Sequence, residues 1–381
     1  MSLKSLFCAM LVLATFVCCE PVALAATVPV VVGTPEVVLT ALDRSLVFRG
    51  HVAPDGAIGA ANVRGKRIFC TPDFNVFCWG WPDMSGYEAF EMLPIKTNLE
   101  AGPPGSFDQN YSGGGQLYFD EGSKILFMLY HGEHWYTSSA TPFYAALGLA
   151  YSSDAGNNWH KLGEVISPRA ARTNNCQIDI GSGTLVPRGG YLYAYYNDSA
   201  LGCGPIQMAV ARASISDLVR AAQQGAYPTS GVGSLFKKYY GWSFDEPGVT
   251  DLAKPEEGGG NFKPIISCPG GSCWSPNVGY DAAVDEYVMV YNDWWRGINL
   301  SFSRDGLTHW SSPIAVVAGG EAPEKAKGKE DPKCYAYATL LSDTADPTTL
   351  GSTFFVYFMN PFGDWDTTNL MRARVDLALD Q

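Results

Sequence analysis

The stretch SFSRDGLTHW, Ser301–Trp310, sets a serine, an aspartate, a glycine and a tryptophan into one short polar turn at the end of an apolar run. The chain builds nearly the same turn earlier, in YSSDAGNNWH, Tyr151–His160, with Ser152, Asp154, Gly156 and Trp159 in the same order. In such a turn the aspartate can accept backbone N–H bonds as the chain reverses. The glycine permits a positive φ, and the tryptophan anchors the next strand between sheets. A turn made twice points to a fold unit made more than once.

Working outward, each turn follows the third member of a repeated series. Alternating aromatic and aliphatic runs end in a polar acceptor: KILFMLYHGE at Glu133, GYLYAYYND at Asp198, EYVMVYND at Asp293 and TFFVYFMN at Asn360. Ahead of them lie runs rich in small residues, GGGQLYFDEG from Gly113, QIDIGSGTLVPRGG from Gln177, NVGYDAAVDE from Asn277 and YAYATLLSD from Tyr335. Behind them lie YAALGLAYS, QMAVARAS, GINLSFS and LMRARVDL. DGAIGAANVRGKRIFCTPD, Asp55–Asp73, has the same small-then-bulky order and supplies a further unit.

Small residues suit innermost strands that crowd around an axis. The pattern therefore predicts an all-β fold, a five-bladed β-propeller of four-stranded blades, whose packed ring leaves no long free edge. One domain is expected over 26–381, with surface insertions at about 232–271, which includes KPEEGGGNFKP, and at GGEAPEKAKGKEDPK before the last blade. SDLVRAAQQGA, from Ser216, reads as a short helix with a serine cap on the outer edge of a blade.

Lys4, an apolar run from Leu6 to Val17 and the small-residue sequence Ala23-Leu24-Ala25 have the layout of a secretory signal over residues 1–25. The run is shorter than the roughly 18 residues a membrane span needs, so a soluble secreted or periplasmic protein is expected, with no membrane span. Of the ten cysteines, Cys8, Cys18 and Cys19 fall in the signal. The local pairs Cys70 with Cys78, Cys176 with Cys203 and Cys268 with Cys273 suit an oxidising compartment and leave Cys334 over. Spacing alone does not fix that connectivity.

A net charge of −12 without a basic block argues against nucleic acid as partner. Neutral carbohydrate fits better, because the many Tyr and Trp rings offer stacking faces. There is no phosphate loop, dinucleotide fingerprint or nucleophile elbow, and no Cys-x-x-Cys pair to hold zinc. No cofactor or metal is therefore assigned. A structural Ca²⁺ held by carbonyls, Asp side chains and water would suit a central funnel, but no recognisable loop encodes one.

The polar residues expected at the funnel are Asp55, Asp73, Asp108, Asn110, Glu133, Asp179, Asn277, Asp281, Glu330 and Asp331. Carboxylates facing one cavity suit glycoside hydrolysis, in which a protonated acid assists the leaving oxygen and a second carboxylate acts as base or nucleophile. Repulsion and burial separate their pKa values and hence their roles. Asp55 and Asp73 bracket one hairpin and form the expected catalytic pair, near Phe74, Trp79 and Trp81. In YHGEHW, strand alternation puts His131 and Glu133 on one face and His134 on the other, so Glu133 is expected to meet substrate as a third catalytic residue. Asp108, Asn110, Tyr111, His131, Trp135, Asp179, Trp274 and Asn277 complete the expected substrate-binding set. Arg49, Arg169, Arg172 and Arg296 could meet a carboxylate.

The order of an Asp, a Gly-rich strand, the short return GKRIF and a second Asp resembles the first blade of five-bladed propeller glycosidases. The family is the arabinanase and furanosidase superfamily, including an endo-D-arabinanase type. GGGQLY, VARAS and SRDGLTHW extend the likeness, and the Asp turns are similar to sialidase Asp-box hairpins. The resemblance implies a secreted glycoside hydrolase cleaving a neutral poly- or oligosaccharide, such as furanose-containing arabinan. The chain lacks the His-Asp-Pro opening of glycoside hydrolase family 43, and CTPDFN stands where a Gly-Asp-Thr run would. The Arg-Ile-Pro motif of sialidases is missing too, which weakens a divergent sialidase as an alternative. A non-catalytic lectin- or adhesin-like propeller, binding glycan or protein, is the other alternative. It would repeat its ligand residues in every blade, whereas here they differ from blade to blade.

Overall fold

The apolar alternation of the repeated runs leaves no face of a middle strand for water. Glu286–Asp293 is buried at every position, and Thr353–Asn360 at all but its two ends. A computed structural model describes residues 29–47, 54–73, 76–81, 99–138, 141–201, 204–225, 234–250, 258–266, 268, 271, 273–320, 333–342, 346, 348–361 and 366–378. The expected signal, Arg49, Phe74, Cys203, Glu330, Asp331 and the side chains of Trp79 and Trp81 lie outside the described residues.

The protein is all-β, and its strands pair as successive antiparallel meanders. The first runs Gly59–Val63, Lys66–Pro72 and Val76–Trp81. In the next, Tyr111–Gly113 and Leu117–Asp120 both pair with Ile125–Trp135, followed by Phe143–Ser152 and His160–Ile166. Gln177–Arg188, Tyr191–Leu201 and Gln207–Ser214 form the core of another, and Cys273–Asp281, Glu286–Asp293, Gly297–Ser303 and Ile314–Ala318 a fourth. The last, Ala336–Leu341, Thr353–Asn360 and Asn369–Leu377, is completed from the other end of the chain. Val30–Val32 and Glu36–Leu39 both pair with Asn369–Leu377.

Apolar clusters sit between the sheets. Val63, Ile68 and Val76 meet Met128 and Tyr130; Phe127 and Leu149 meet Ile180 and Leu192; Tyr195 and Val210 meet Val278 and Met289. Val290 and Leu300 then meet Phe354 and Val356, while Phe355 and Tyr357 return to Ile58 and Phe69 of the first meander. The series thus closes on itself.

The structure details the expected insertion, helix and cysteines. Within the stretch read as an insertion, Lys237–Tyr240 pairs onto Gln207–Ser214 and Ser243–Pro247 pairs onto Lys237–Tyr240, extending the sheet. Lys238, fully buried, ties the stretch down by donating to the Ser167 carbonyl at 2.6 Å and the Gly260 carbonyl at 3.0 Å. The helix spans Ile215–Gln224, two residues earlier than a cap at Ser216 would start it. Its N-cap is Ser214, whose hydroxyl meets Ser216 rather than a backbone N–H, and Gly225 in the left-handed region ends it. Disulfides join Cys70 to Cys78 and Cys268 to Cys273, Cys176 is also disulfide-bonded, and Cys334 keeps a buried thiol.

The paired turns work as their composition suggests. Asp305 Oδ1 accepts the Leu307 and Thr308 N–H groups at 2.8 and 2.7 Å, and Gly306 takes φ 68°. Asp154 accepts the Asn158 N–H at 2.9 Å, with Gly156 at φ 88° and Trp159 buried. Burial pushes the Asp305 carboxyl up, but the hydrogen bonds from Thr308, Leu307 and Ser303 outweigh it and hold the group below its usual range. Asp305→Ala is therefore expected to lower stability by about 1–3 kcal/mol in urea unfolding, the scale of orphaned N–H groups. An unchanged midpoint would show that the carboxylate does not hold the turn.

Candidate active site

Innermost strands normally alternate their side chains, but here the ladders slip near the centre of the molecule. Register shifts fall between Gly181 and Thr184, Trp274 and Asn277, and Ala336 and Thr339. Ser275 and Tyr337 sit in these shifts with φ of 55° and 58°, the left-handed region that non-glycine residues rarely occupy. Bulges of this kind re-aim side chains. They bring Trp274 and Tyr337 to the wall of a cavity of about 370 Å³.

Residues from every meander line this cavity: Asp55 and Pro72, then Tyr111, His131 and Glu133, then Gln177, Asp179, Asn197 and Ser199, then Trp274 and Trp294, and lastly Tyr337. Asp55 is held from two sides. The Tyr111 hydroxyl donates to its Oδ2 and the Tyr337 hydroxyl to its Oδ1, each at 3.0 Å, and its own N–H donates to the Pro72 carbonyl. Burial pushes the Asp55 carboxyl up to about 7; the two tyrosine hydrogen bonds oppose the rise, and the charges of Glu133 and Asp73 add to it.

His131 lies between Ile180 and Glu133, its Nδ1 2.9 Å from the Ile180 carbonyl and its Nε2 3.1 Å from Glu133 Oε1. Both partners are acceptors, so both ring nitrogens carry protons and the ring is an imidazolium. Burial alone would lower its pKa. The hydrogen bond to Glu133, the charges of Asp179 and Glu133, and the Ile180 carbonyl instead raise it to about 9. Trp135 Nε1 donates to the other Glu133 oxygen at 2.6 Å, so both oxygens of that carboxylate are engaged. Asp179 differs. Its Oδ1 is buried with no hydrogen-bond partner, and burial raises the group to about 6, with His131 lowering it and Glu133 and Asp198 raising it.

The structure thus brings Asp55, Tyr111, His131, Glu133, Asp179 and Trp274 to one cavity, with Trp135 bonded to Glu133 behind them. It sets other expected residues apart. Asp73 is 2% exposed and stands behind Asp55, close enough to raise its pKa but off the cavity wall. Asp108 lines a separate groove, where it accepts from Lys161 at 2.6 Å and Tyr130 at 3.2 Å. Asn110 and Asn277 spend their side-chain oxygens on the backbone N–H groups of Trp135 and Leu340, and Asp281 accepts from the Ala283 N–H. Arg169, Arg172 and Arg296 do not line the cavity.

Gln177, Asn197, Ser199, Trp294 and Tyr337 line the cavity although the sequence reading did not single them out. Tyr337 lay in a run whose strand alternation did not place it, because the bulge changes its face. Trp294 follows a strand end and stacks on Trp274 at 4.6 Å, with Tyr337 edge-on to Trp274 at 5.7 Å. Among the described residues, no three His, Cys, Asp or Glu side chains gather as a metal ion would require.

No family model matches the sequence, and no curated protein matches it. Solved structures share its course. An α-L-arabinofuranosidase from Lactobacillus brevis matches with a TM-score of 0.50 and 10% identity, over 84% of this chain and 90% of that one. The catalytic domain of a GH62 α-L-arabinofuranosidase from Coprinopsis cinerea gives 0.47 and 10%, over 85% and 90%. At such identity the likeness is one of fold, and the chain is folded as the Lactobacillus brevis glycosidase is.

Proposed function

We propose that the chain is an exported glycoside hydrolase, a single-domain five-bladed β-propeller acting on a neutral poly- or oligosaccharide with furanose units, such as arabinan. The observation that carries this reading is the central cavity, in which two carboxyls with raised pKa values, Asp55 and Asp179, flank the ion pair of Glu133 and His131. The five-blade reading is supported by the apolar clusters that join each meander to the next and the last to the first. The disulfides support export, and no helix among the described residues is long and apolar enough to cross a membrane.

In this mechanism Asp55 carries a proton up to about pH 7 and gives it to the glycosidic oxygen as the bond to the sugar breaks. The Tyr111 and Tyr337 hydroxyls then stabilise the carboxylate that remains. Asp179, ionised above about pH 6 and with one oxygen uncommitted, takes a proton from the water whose oxygen bonds to the anomeric carbon in place of the leaving group. Glu133, fixed by its two donors, offers negative charge to the positive sugar ring of the transition state. Asp73 acts through Asp55, by holding its proton. The stacked Trp274 and Trp294 give a sugar ring a flat wall. A cavity lined by carboxylates, with no arginine among its described lining residues, suits a neutral sugar better than a sialylated one.

Reducing-end release from arabinan, arabinogalactan, xylan and sialylated glycans tests the reading. One neutral substrate class is expected to be cut, and Asp55→Asn and Asp179→Asn are each expected to lower kcat by about 10²–10⁴-fold in a folded protein. Release from none of them, or full activity in both variants, would overturn it.

The pH profile of kcat/KM gives a second check. Activity should rise through about pH 6 as Asp179 loses its proton and fall above about pH 7 as Asp55 loses its own. Asp73→Asn removes a negative charge behind Asp55, lowers the Asp55 pKa, and should move the alkaline limb to lower pH. A limb that stays in place would exclude Asp73 as a positioning residue.

A further inference from the structure

The hairpin formed by Lys237–Tyr240 and Ser243–Pro247 turns at Gly241 and Trp242, with φ of 56° and 75°. Gly241 takes that conformation freely. A tryptophan in the left-handed region costs on the order of 1 kcal/mol. Burial does not repay it, since Trp242 is 72% exposed and its neighbour Tyr240 48% exposed. The ring is nevertheless oriented. Lys263 places its ammonium 3.2 Å from the centroid of the indole, and the Lys263 N–H donates to the Tyr239 carbonyl at 2.7 Å. One face of the indole is thus taken by a cation and the other is open to solvent.

The strand registers give the position of this ring. Asn197, on the cavity wall, is level with Met208 in the next strand. The Met208 carbonyl accepts the Ile265 N–H, and the segment carrying Ile265 reaches Tyr239 through Lys263. Ile206, just ahead of Met208, also lines the cavity. The hairpin tip therefore lies at the same end of the sheet as the cavity, about three strand spacings, or roughly 14 Å, from its wall.

We propose that Trp242, with Tyr240 beside it, is a second, non-catalytic sugar-stacking site, which holds a neutral polysaccharide chain running from the cavity out over the edge of the sheet. The inference rests on the hydrolase reading for its choice of ligand. An open ring face with no enclosing pocket suits one unit of a long chain rather than a free small molecule. A chain carrying a charge of −12 does not favour a polyanion.

The test uses affinity electrophoresis in gels containing arabinan, arabinogalactan or xylan, with the Asp55→Asn background to prevent turnover. Trp242→Gly relieves the backbone and should fold at least as well as the wild type, so lost retardation cannot be ascribed to unfolding. It is expected to weaken retardation by at least five-fold, with Trp242→Phe restoring most of it. In the active protein, Trp242→Gly should raise KM on the polymer several-fold and leave kcat/KM on a short chromogenic arabinoside unchanged. Equal retardation with and without the ring, or no retardation of either protein, would overturn the proposal. Retardation that depends on Trp242 in a protein that cleaves nothing would keep the stacking site and overturn the hydrolase reading instead.

Discussion

The architecture depends on how closely the innermost strands approach one another. A Cβ on Gly59 would stand 2.1 Å from the Gly115 carbonyl oxygen, and one on Gly183 would stand 2.4 Å from Leu129 Cδ2. At Gly59 backbone meets backbone, and at Gly183 a side chain would have to displace the end of Leu129, so the bulky residues are carried outward into the clusters between sheets. With these inner positions kept small, polar side chains of the strands can converge on one small cavity.

The electrostatics of that cavity follow from an imbalance of charge. Among the described lining residues, Asp55, Glu133 and Asp179 face His131 as the one cation. Glu133 has taken that cation, with Trp135 on its other oxygen. The remaining carboxyls answer burial by holding protons more tightly, and Asp55 does so although two tyrosines donate to it. Environment, more than residue type, sets how tightly Asp55 and Asp179 hold their protons.

The repeated runs were largely legible in the sequence, since burial on both faces leaves an unbroken apolar signature. KILFMLYHGE and EYVMVYND correspond to Ile125–Trp135 and Glu286–Asp293 with ends that differ by at most two residues. Asp55 and Asp179 stand at or near the start of small-residue runs and Glu133 at the end of an apolar one, which is why the sequence reading put all three at the funnel. What sequence could not give is contact between distant partners. Nothing near Asp108 announces Lys161, and the bulge that turns Tyr337 inward leaves no mark in a run that reads as a regular strand. The outer strands after Phe236 were hidden by their surroundings of Pro, Gly and charge, which resemble loop sequence.

Val31 pairs with Asp376, and Val37 with Met371. Almost the whole chain must therefore be made before this sheet can close, and the loop joining the two partners is nearly as long as the molecule. Closure entropy grows only slowly with such a length, but the search for the partner delays the last step of folding. Until then the final sheet has an unpaired edge open to other chains. A protein joined in this way keeps its two ends from folding to completion until synthesis is nearly over.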